Sequence, residues 1–416
     1  MVQAQLEGSQ AVARAVALCR PDVVCAYPIS PPTHIIEALG ALVKSGQLDA
    51  EFVNADSEFS ALSVTIGASA VGARAYTATA SQGLLFMMEA VYNAAGLGLP
   101  IVLTLANRAI GAPINIWNDH SDAMSVRDSG WVQLFAETNQ DAIDLHILAV
   151  ALAEELSVPV MVNVDGFILT HSIERVDLPS ADEVDSLVPP YLPRQSLDPL
   201  DPVSIGAMVG PEAFTEVRYL AQVRLQRALD VIPRLGEHHL EVLGRSSGHL
   251  VQGYHLDDAE VVVVAMGSVL GTIKDVVDDL RANGEKMGVL SITCFRPFPA
   301  EAVRRALERA TRVVVIEKAF SIGYGGILST DIALALRGRS TPIHEVIAGL
   351  GGRPVWADSL RETFLAALEG TLVETTFLDL DHSLVDGELA RVAQRRRSGP
   401  AAENVLRDLE MSRRDS

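Results

Sequence analysis

Four polar features follow short apolar runs in the first half of the chain, and their side chains are of kinds that do chemistry. Ser30 lies in the stretch AYPISPPTH, Glu58 follows FVNADS, and Arg108 follows PIVLTLAN. The fourth feature is the stretch TASQG, in which Ser81 and Gln82 stand just before a helical pattern. A carboxyl group can exchange protons, and the planar guanidinium of arginine can hold a carboxylate through two parallel hydrogen bonds. These residues indicate a small-molecule site, with Arg108 as the candidate clamp for a carboxylate.

Each of these residues has an ordinary structural role that the sequence leaves open. Glu58 could interact with a helix dipole or take part in a capping box, and Ser30 could cap the helix that follows the prolines. Arg108 could form a surface ion pair. Ser81 and Gln82 could cap a helix that binds nothing. What favours a site is the common position of the four features at the ends of predicted strands.

The elements that position these residues are predicted from the alternation of short apolar runs with longer helical patterns. This alternation is typical of an α/β fold with a mostly parallel sheet. The predicted strands are VVCAYPIS, FVNADS, RAYTATA, PIVLTLA and VPVMVNV. Open parallel sheets bind ligands beyond the carboxyl ends of their strands, where all four features fall. Pro28, Pro31 and Pro32 have a fixed φ and no N–H group, so we expect them to end the first strand and to hold Ser30 on a rigid turn.

The composition of the chain argues against several classes of function. Its 416 residues carry 53 acidic and 33 basic side chains, a net charge of −20, which predicts no binding to nucleic acid or to an anionic membrane surface. The three cysteines, Cys19, Cys25 and Cys294, form no CxxC pair, so we expect neither an iron–sulfur cluster nor a disulfide framework on this chain. The sequence contains no apolar run of membrane-spanning length and no signal-peptide pattern, which predicts a cytoplasmic protein.

The sequence divides into four stretches. Residues 1–178 contain the first set of strands and the four polar features. Residues 179–257 begin proline-rich and then carry one long charged amphipathic segment, which is typical of a linker or an embellishment. Residues 258–375 repeat the pattern of strand, glycine-containing turn and helix, which predicts a second α/β domain. Residues 376–416 include the basic run from Arg395 to Arg397 and are expected to form a C-terminal arm that docks on a partner or stays mobile.

One long polar stretch, NRAIGAPINIWNDHSDAMSVRDSGW, follows the PIVLTLA run. Its part from Trp117 to Trp131 is crowded with acidic, amide and aromatic side chains. A structured loop of this content is usually part of an active site or of a subunit contact. His120 and its acidic neighbours lack the HxxE or HxH spacing of metal ligands, so no metal site is predicted on this chain.

A series of motifs, in order along the chain, resembles one family of enzymes. The motifs are AYPISPPTHIIE, NADSEFSAL, ATASQGL, ANRAIGAPINIWNDHSDAMSVRDSGW, VNVDGFILTHS, GYHLDDAEVVVVAMGSVLGT and FRPFP. In these motifs the chain is similar to the alpha subunits of 2-oxoacid:ferredoxin oxidoreductases, above all those of the pyruvate branch. The resemblance implies a thiamine-enzyme pyrimidine-binding domain with a parallel sheet, followed by an α/β domain like the C-terminal domain of transketolase.

The resemblance also implies an activity and a set of partners. Enzymes of this family use thiamine diphosphate to decarboxylate a 2-oxoacid oxidatively, with coenzyme A as co-substrate, and many also run in reverse. In the pyruvate branch the products are acetyl-CoA and CO₂. The thiamine diphosphate is shared with a beta subunit that holds Mg²⁺ through a Gly-Asp-Gly…Asn motif, which this chain lacks. The [4Fe-4S] clusters lie on gamma and delta subunits or on a fused subunit, and they pass electrons to ferredoxin or another acceptor.

By position in these motifs, the resemblance assigns roles to individual residues. It implies that Glu58 hydrogen-bonds the aminopyrimidine of thiamine, where a carboxyl group promotes the imino form that takes a proton from the thiazolium carbon. It implies that Arg108 binds the substrate carboxylate and that Ser30 hydrogen-bonds the substrate. The other residues expected at the site are Pro28, Ser81 and Gln82 toward the cofactor, and Ile29 and Asn107 toward the substrate.

Two alternatives stay open on the sequence alone. Where the family pattern reads YPIT this chain reads YPIS, and the smaller Ser30 leaves room for a branched or aryl 2-oxoacid such as 2-oxoisovalerate or phenylglyoxylate. The other alternative is a nicotinamide-dependent dehydrogenase, because AMGSVLG follows a predicted strand. The next strand, LSITCFRPF, lacks the acidic residue that would hold a ribose, so Gly267 and Gly271 are expected to serve only the turn from strand to helix.

Overall fold

The computed structural model describes residues 2–393 and 399–414, which form a mixed α/β structure and confirm the predicted fold class. The strands are β1 (Val2–Glu7), β2 (Val23–Ala26), β3 (Glu51–Asn54), β4 (Ala75–Thr79), β5 (Ile101–Asn107), β6 (Val132–Phe135), β7 (Val160–Asp165), β8 (Ile173–Leu178), β9 (Val251–Tyr254), β10 (Val261–Ala265), β11 (Met287–Ile292), β12 (Cys294–Arg296), β13 (Arg312–Glu317), β14 (Ile343–Ile347) and β15 (Thr375–Phe377). The helices are α1 (Gly8–Leu18), α2 (Thr33–Lys44), α3 (Glu58–Ala70), α4 (Ser81–Phe86), α5 (Met88–Leu97), α6 (Ser121–Ser125), α7 (Asn139–Leu156), α8 (Ala181–Leu187), α9 (Phe214–Gln226), α10 (Ala228–Leu243), α11 (Val269–Ala282), α12 (Ala300–Ala306), α13 (Ile327–Ala335), α14 (Ala357–Glu369), α15 (His382–Ala393) and α16 (Ala401–Arg414).

The first sheet has seven strands in the order β12-β6-β7-β5-β4-β2-β3. It is parallel except for β12, which runs antiparallel to β6. All five apolar runs that predict strands lie in this sheet, as β2, β3, β4, β5 and β7. Helices α1, α2 and α7 pack on one face and α3 and α5 on the other, so β4, β5 and β7 are buried along their whole length.

Three features of this part of the fold are not evident in the sequence. Strand β6 has four residues and follows directly on the polar loop. Strands β1 and β8 form a separate antiparallel pair, with Val2 opposite Leu178. Strand β12 has three residues from the second half of the chain. The segments of β6 and β12 are too short to show a clear period of two, whereas VQAQLE in β1 does alternate and only its pairing with β8 is not evident.

The second sheet has six strands in the order β15-β14-β13-β10-β11-β9 and is parallel except for β9. Helices α11 and α14 cover one face. The other face carries α12 and α13 and belongs to an apolar cluster that also contains α3 and β5 residues of the first sheet's domain. The two sheets therefore share a hydrophobic core.

The stretch of residues 179–257 is more closely attached to both sheets than a linker. Its long amphipathic segment is divided into α9 and α10 at Arg227. Helix α10 buries Ala228, Ile232 and Leu243 in the same cluster as α7, whereas α9 has no buried residue. The stretch also supplies β9 to the second sheet.

The C-terminal arm contains the described helices α15 and α16, which pack against each other. The predicted basic run from Arg395 to Arg397 lies outside the described residues. No helix in the described ranges combines the length and the hydropathy needed to cross a membrane.

Candidate active site

The four polar features meet at one edge of the first sheet, because parallel strands end at the same side. Ser30 follows β2, Glu58 opens α3 after β3, Ser81 opens α4 after β4, and Arg108 directly follows β5. The guanidinium of Arg108 reaches across to the turn after β2. Its Nη1 donates to the backbone carbonyl oxygen of Ser30 at 2.9 Å. The sheet topology therefore brings together residues that lie far apart in the sequence.

Ser30 lies at the tip of a turn between β2 and α2. Its side chain is exposed, whereas the following Pro31 and Pro32 are buried. Gly166, after β7, packs against this turn, and a Cβ at Gly166 would lie 2.6 Å from the Pro31 ring. Of the other predicted residues in the turn, Pro28 is exposed and Ile29 is half-buried. The buried prolines hold the Ser30 hydroxyl at the surface of the site with little freedom to move.

Arg108 is only 8% exposed. Its Nε donates to the Asn115 carbonyl oxygen at 3.1 Å, and Nη1 is used by Ser30. Within the described part of the chain, Nη2 donates to no group. Burial lowers the pKa of Arg108, and the Asp122 carboxylate opposes this shift. The guanidinium is thus fixed in orientation and keeps one edge free for an anionic ligand.

Glu58 is the first residue of α3 and is 9% exposed. The helix is capped by the Ser57 hydroxyl, which accepts from the Ser60 N–H at 3.1 Å, so the Glu58 carboxylate is not needed for a capping box. This carboxylate has no hydrogen-bonding or ionic partner among the residues that the structure describes. A buried carboxylate without a partner is costly unless a ligand supplies one.

Gly83 in α4 lies against Glu58. A Cβ at Gly83 would come within 2.8 Å of Glu58 Oε1 and within 2.5 Å of Thr79 Oγ1. The Thr79 hydroxyl is itself buried and has no hydrogen-bond partner in the described structure. Gly83 therefore makes room for the Glu58 carboxylate and the Thr79 hydroxyl, neither of which has a hydrogen-bond partner among the described residues.

Ser81 and Gln82 are tied to the loop after β5. The Ser81 hydroxyl donates to the Ala109 carbonyl oxygen at 2.5 Å, and Ser81 has a positive φ of 49° that few side chains tolerate. The half-buried Gln82 contacts Gly111 through its amide nitrogen. The Ser81 side chain therefore packs against the loop after β5, and its hydroxyl is already hydrogen-bonded within the protein.

Asn107 differs most from its predicted role. Its side chain is fully buried, and its amide nitrogen donates to Asp122 Oδ1 at 3.0 Å and to Asn163 Oδ1 at 3.2 Å. The amide nitrogen is therefore already hydrogen-bonded within the protein, and a contact of Asn107 with substrate stays a prediction. Asn107 is the last residue of β5, so its side chain points into the protein while the next one, Arg108, reaches the site.

Asp122 is a positioning residue that the sequence does not single out. Its fully buried carboxylate accepts from the backbone N–H groups of Ser81 at 3.0 Å and Arg108 at 2.9 Å, besides the Asn107 amide. Burial raises the pKa of Asp122 to about 7, against the effect of these hydrogen bonds. It lies in the loop NDHSDAM, which contains two acidic residues. The sequence alone does not show which of the two binds the backbone of Ser81 and Arg108.

A buried charge cluster joins the two sheets beneath the site, and we define it as Asp165, His120, Lys318 and Ser268. Asp165 Oδ1 lies 2.7 Å from His120 Nε2, and Oδ2 accepts from Lys318 Nζ at 3.0 Å and from the Ser268 hydroxyl at 2.5 Å. Burial alone would raise the pKa of Asp165, but Lys318 and His120 hold it well below its usual range. Gly267, with φ of 75°, makes the close approach possible.

The contacts of this cluster also show the structural role of the segment AMGSVLG. The turn between β10 and α11 directs the Ser268 N–H at Asp165 Oδ2, 3.0 Å away. The turn thus binds a carboxylate of the protein, as expected for Gly267 in a structural turn, and the nicotinamide alternative gains no support. Gly271 lies inside α11, and the position that a Cβ on it would take has no neighbouring atom within 4 Å.

Exposed apolar side chains lie on the helices next to Glu58. Phe59 is 37% exposed and Phe86 60%, and their ring centroids lie 6.5 Å apart. Val64 and Tyr92, on α3 and α5, are also exposed. An apolar surface of this kind, beside a site, is typical of a contact with another protein chain.

Comparison with known proteins gives two family matches. Residues 14–234 match the family described as pyruvate flavodoxin/ferredoxin oxidoreductase, thiamine diP-bdg. Residues 259–360 match pyruvate:ferredoxin oxidoreductase core domain II. Each of the predicted site residues lies within the first match.

Similar sequences carry consistent names. Pyruvate synthase subunit PorA of Methanosarcina barkeri is 47% identical over 91% of this chain and 97% of its own length. The subunit of that name from Thermotoga maritima is 42% identical over 88% of this chain and 94% of its own. Ketoisovalerate oxidoreductase subunit VorA of Pyrococcus abyssi is 40% identical, over 84% and 89%.

Two solved structures share the fold. A 2-oxoglutarate:ferredoxin oxidoreductase from Magnetococcus marinus, solved with 2-oxoglutarate, coenzyme A and succinyl-CoA bound, matches 88% of this chain and 65% of that chain, with a TM-score of 0.68 and 16% identity. A split gene transketolase matches 88% of this chain and 98% of that chain, with a TM-score of 0.51 and 15% identity.

Proposed function

The chain belongs to the pyruvate:ferredoxin oxidoreductase family as an alpha subunit, and from this premise we propose which of its residues serve the reaction. The reaction is the oxidative decarboxylation of pyruvate to acetyl-CoA and CO₂, with electrons passed to ferredoxin. The observation that carries the proposal is the mostly buried Glu58, whose carboxylate has no partner among the described residues and which lies at the same sheet edge as Arg108 and Ser30.

The residues around Glu58 suit the pyrimidine half of thiamine diphosphate. Glu58 would hold its polar groups, and Gly83 leaves room for the Glu58 carboxylate to take up this position. When bound, thiamine diphosphate supplies the carbon nucleophile and the electron sink for decarboxylation. With thiamine diphosphate bound, the Glu58 carboxyl group would hold the proton that is exchanged with the pyrimidine nitrogen.

Arg108 and Ser30 bind the 2-oxoacid. The free edge of the Arg108 guanidinium is assigned to the substrate carboxylate, and the Ser30 hydroxyl to a hydrogen bond with the substrate. The two are held together by the bond from Arg108 Nη1 to the Ser30 carbonyl oxygen, so both meet the substrate without rearrangement. Asp122 fixes the backbone of Arg108 behind them.

Partner subunits complete the site. We assign the exposed apolar face around Phe59 and Phe86 to a beta subunit that holds the diphosphate and Mg²⁺. Cluster-bearing gamma and delta subunits, or a fused subunit, would carry the [4Fe-4S] clusters and pass electrons onward. The net charge of −20 supports this route, because a direct encounter with an acidic ferredoxin would be repulsive. Coenzyme A as acyl acceptor and a cytoplasmic location complete the proposal.

A branched 2-oxoacid is the second candidate substrate. Ser30 offers a smaller side chain than threonine, and a ketoisovalerate oxidoreductase subunit is among the similar proteins. Pyruvate is preferred because the pyruvate synthase subunits have the higher identity.

The test is a Glu58→Gln substitution in the complex purified with its partner subunits. Reduction of a viologen dye is measured with coenzyme A and pyruvate, 2-oxoisovalerate or phenylglyoxylate. We expect about a 100-fold or greater loss of kcat, typical for removal of a general acid–base group. Glu301→Gln, in the exposed first turn of α12, is the matched control and should retain activity.

Full activity of Glu58→Gln would refute the role of Glu58. A wild-type complex that reduces dye with 2-oxoisovalerate but not with pyruvate would refute the substrate assignment alone.

A further inference from the structure

A cluster of three potential metal ligands lies beside the turn that carries Ser30. Its members are Glu7, His34 and His171, each of which offers one ligand atom, and these three atoms lie within 4.8 Å of one another. His34 Nδ1 is 2.7 Å from Glu7 Oε1. The imidazole rings of His34 and His171 are in contact, with centroids 4.9 Å apart and planes tilted by 35°. Metal–ligand bonds of about 2.0 to 2.2 Å reach ligand atoms up to about 4.4 Å apart, so small side-chain rotations would place all three on one ion.

The backbone around the cluster is fixed by pairing between β1 and β8. Glu7, the last residue of β1, is opposite Ile173, two residues beyond His171. The Gly8 N–H donates to the Ser172 carbonyl oxygen at 3.0 Å, and the Ser9 N–H to the Thr170 carbonyl oxygen at 2.9 Å. Two of the three ligands are therefore held at a set separation by main-chain hydrogen bonds, and such fixed supports favour a defined site.

The orientation of His171 is also controlled. Its Nδ1 lies 2.8 Å from Thr170 Oγ1, which leaves Nε2 free, and the Phe167 ring packs on it with a centroid distance of 4.8 Å. A hydrogen bond to the second ring nitrogen is the usual support of a metal-binding histidine.

We propose that Glu7, His34 and His171 bind a divalent transition-metal ion, with Zn²⁺ as the best match to two imidazoles and one carboxylate. The partial exposure of His34 leaves a coordination position for water. The sequence predicts no metal site because its three ligands are widely spaced and follow no local motif.

Such an ion would connect three segments next to the substrate turn. His34 is the second residue of α2 and comes two positions after Pro32, which is part of the Ser30 turn. Glu7 precedes α1, and His171 lies between β7 and β8. A bound ion would tie the start of α2 to the β1–β8 pair and so stiffen the platform from which Ser30 meets the substrate.

The test is titration of the untagged full chain with ZnCl₂ by calorimetry, after removal of metal with a chelator. We expect one Zn²⁺ per chain in the wild type. His34→Ala and His171→Ala should weaken binding roughly 100-fold or more, and Thr170→Val, which removes the hydroxyl that lies against His171 Nδ1 and also accepts from the Phe167 N–H, roughly 10- to 100-fold. His382→Ala, at an exposed position of α15, is the matched control and should bind as wild type does.

A second measurement distinguishes loss of metal binding from loss of folding in the variants. Glu7→Gln keeps the size of this partly buried side chain, and the fold of the variant is checked by circular dichroism. With Co²⁺ in place of Zn²⁺, the visible absorption of the wild-type chain should be lost or shifted in this variant. The absence of one-to-one binding in the wild type, or equal affinity in the wild type and all four ligand and support variants, would overturn the proposal.

Discussion

Removal of the Lys318 ammonium should destabilise the protein more than loss of any exposed ion pair. Lys318 and Asp165 are 5% and 1% exposed, and their charged atoms are 3.0 Å apart. At an effective dielectric constant of about 20, this separation corresponds to an attraction of about 5 kcal/mol. Lys318→Met leaves the Asp165 carboxylate buried with His120 and Ser268 as its remaining partners. We therefore expect a loss of about 3 to 5 kcal/mol in the free energy of unfolding.

The assay is urea unfolding of the full chain followed by tryptophan fluorescence, since Trp117 lies on the loop that the cluster anchors. Lys286→Met is the matched control. Lys286 Nζ is 2.8 Å from Glu260 Oε1, but both side chains are 56% exposed, so its removal should change the unfolding midpoint little.

A double-mutant cycle completes this test. Asp165→Asn combined with Lys318→Met leaves no unpaired charge in the cluster, so the double variant should lose less stability than the sum of the single ones. If Lys318→Met and Lys286→Met shifted the midpoint equally, the reasoning from burial would be refuted.

Three further predictions concern the site and the core. Arg108→Lys keeps the charge but loses the planar fork, so the KM for pyruvate should rise about 10- to 100-fold in steady-state assays of the complex; an unchanged KM would contradict the clamp. Gly83→Ala places a Cβ 2.8 Å from Glu58 Oε1 and should lower kcat about 100-fold, whereas Gly271→Ala, which meets no neighbouring atom, should not. Burial lowers the pKa of His146 from 6.5 to about 4, so the folded state favours the neutral ring between the Thr104 hydroxyl and the Ala142 carbonyl. Stability should therefore be full above pH 6.5 and fall by about 3 kcal/mol toward pH 4 in urea titrations, and His146→Gln should flatten this profile.

The sequence predicts the parts of the site that follow from strand ends. The apolar runs before Ser30, Glu58 and Arg108 are long enough to be recognised, and parallel topology then places their ends together. It does not predict that the Asn107 amide, at the end of β5, is buried and donates to Asp122.

Long-range polar pairing is the part that the sequence could not supply. Asp165 and Lys318 are 153 residues apart, and no sequence motif indicates that the two residues form an ion pair. Asp122 is one of several acids in a polar loop, and its role depends on two N–H groups from other elements. Such contacts are set by the packing of the two sheets and carry no periodic signal.

The three-residue strand β12 has a consequence for synthesis of the chain. A ribosome releases the first sheet's other strands well before residues 294–296, so β6 remains an open edge while the second domain is being made. An unpaired edge strand invites pairing with another nascent chain. Separate expression of the first domain would leave this edge exposed permanently. The two halves are thus coupled in biogenesis, and a gene cut between them would yield an aggregation-prone fragment rather than an independent module.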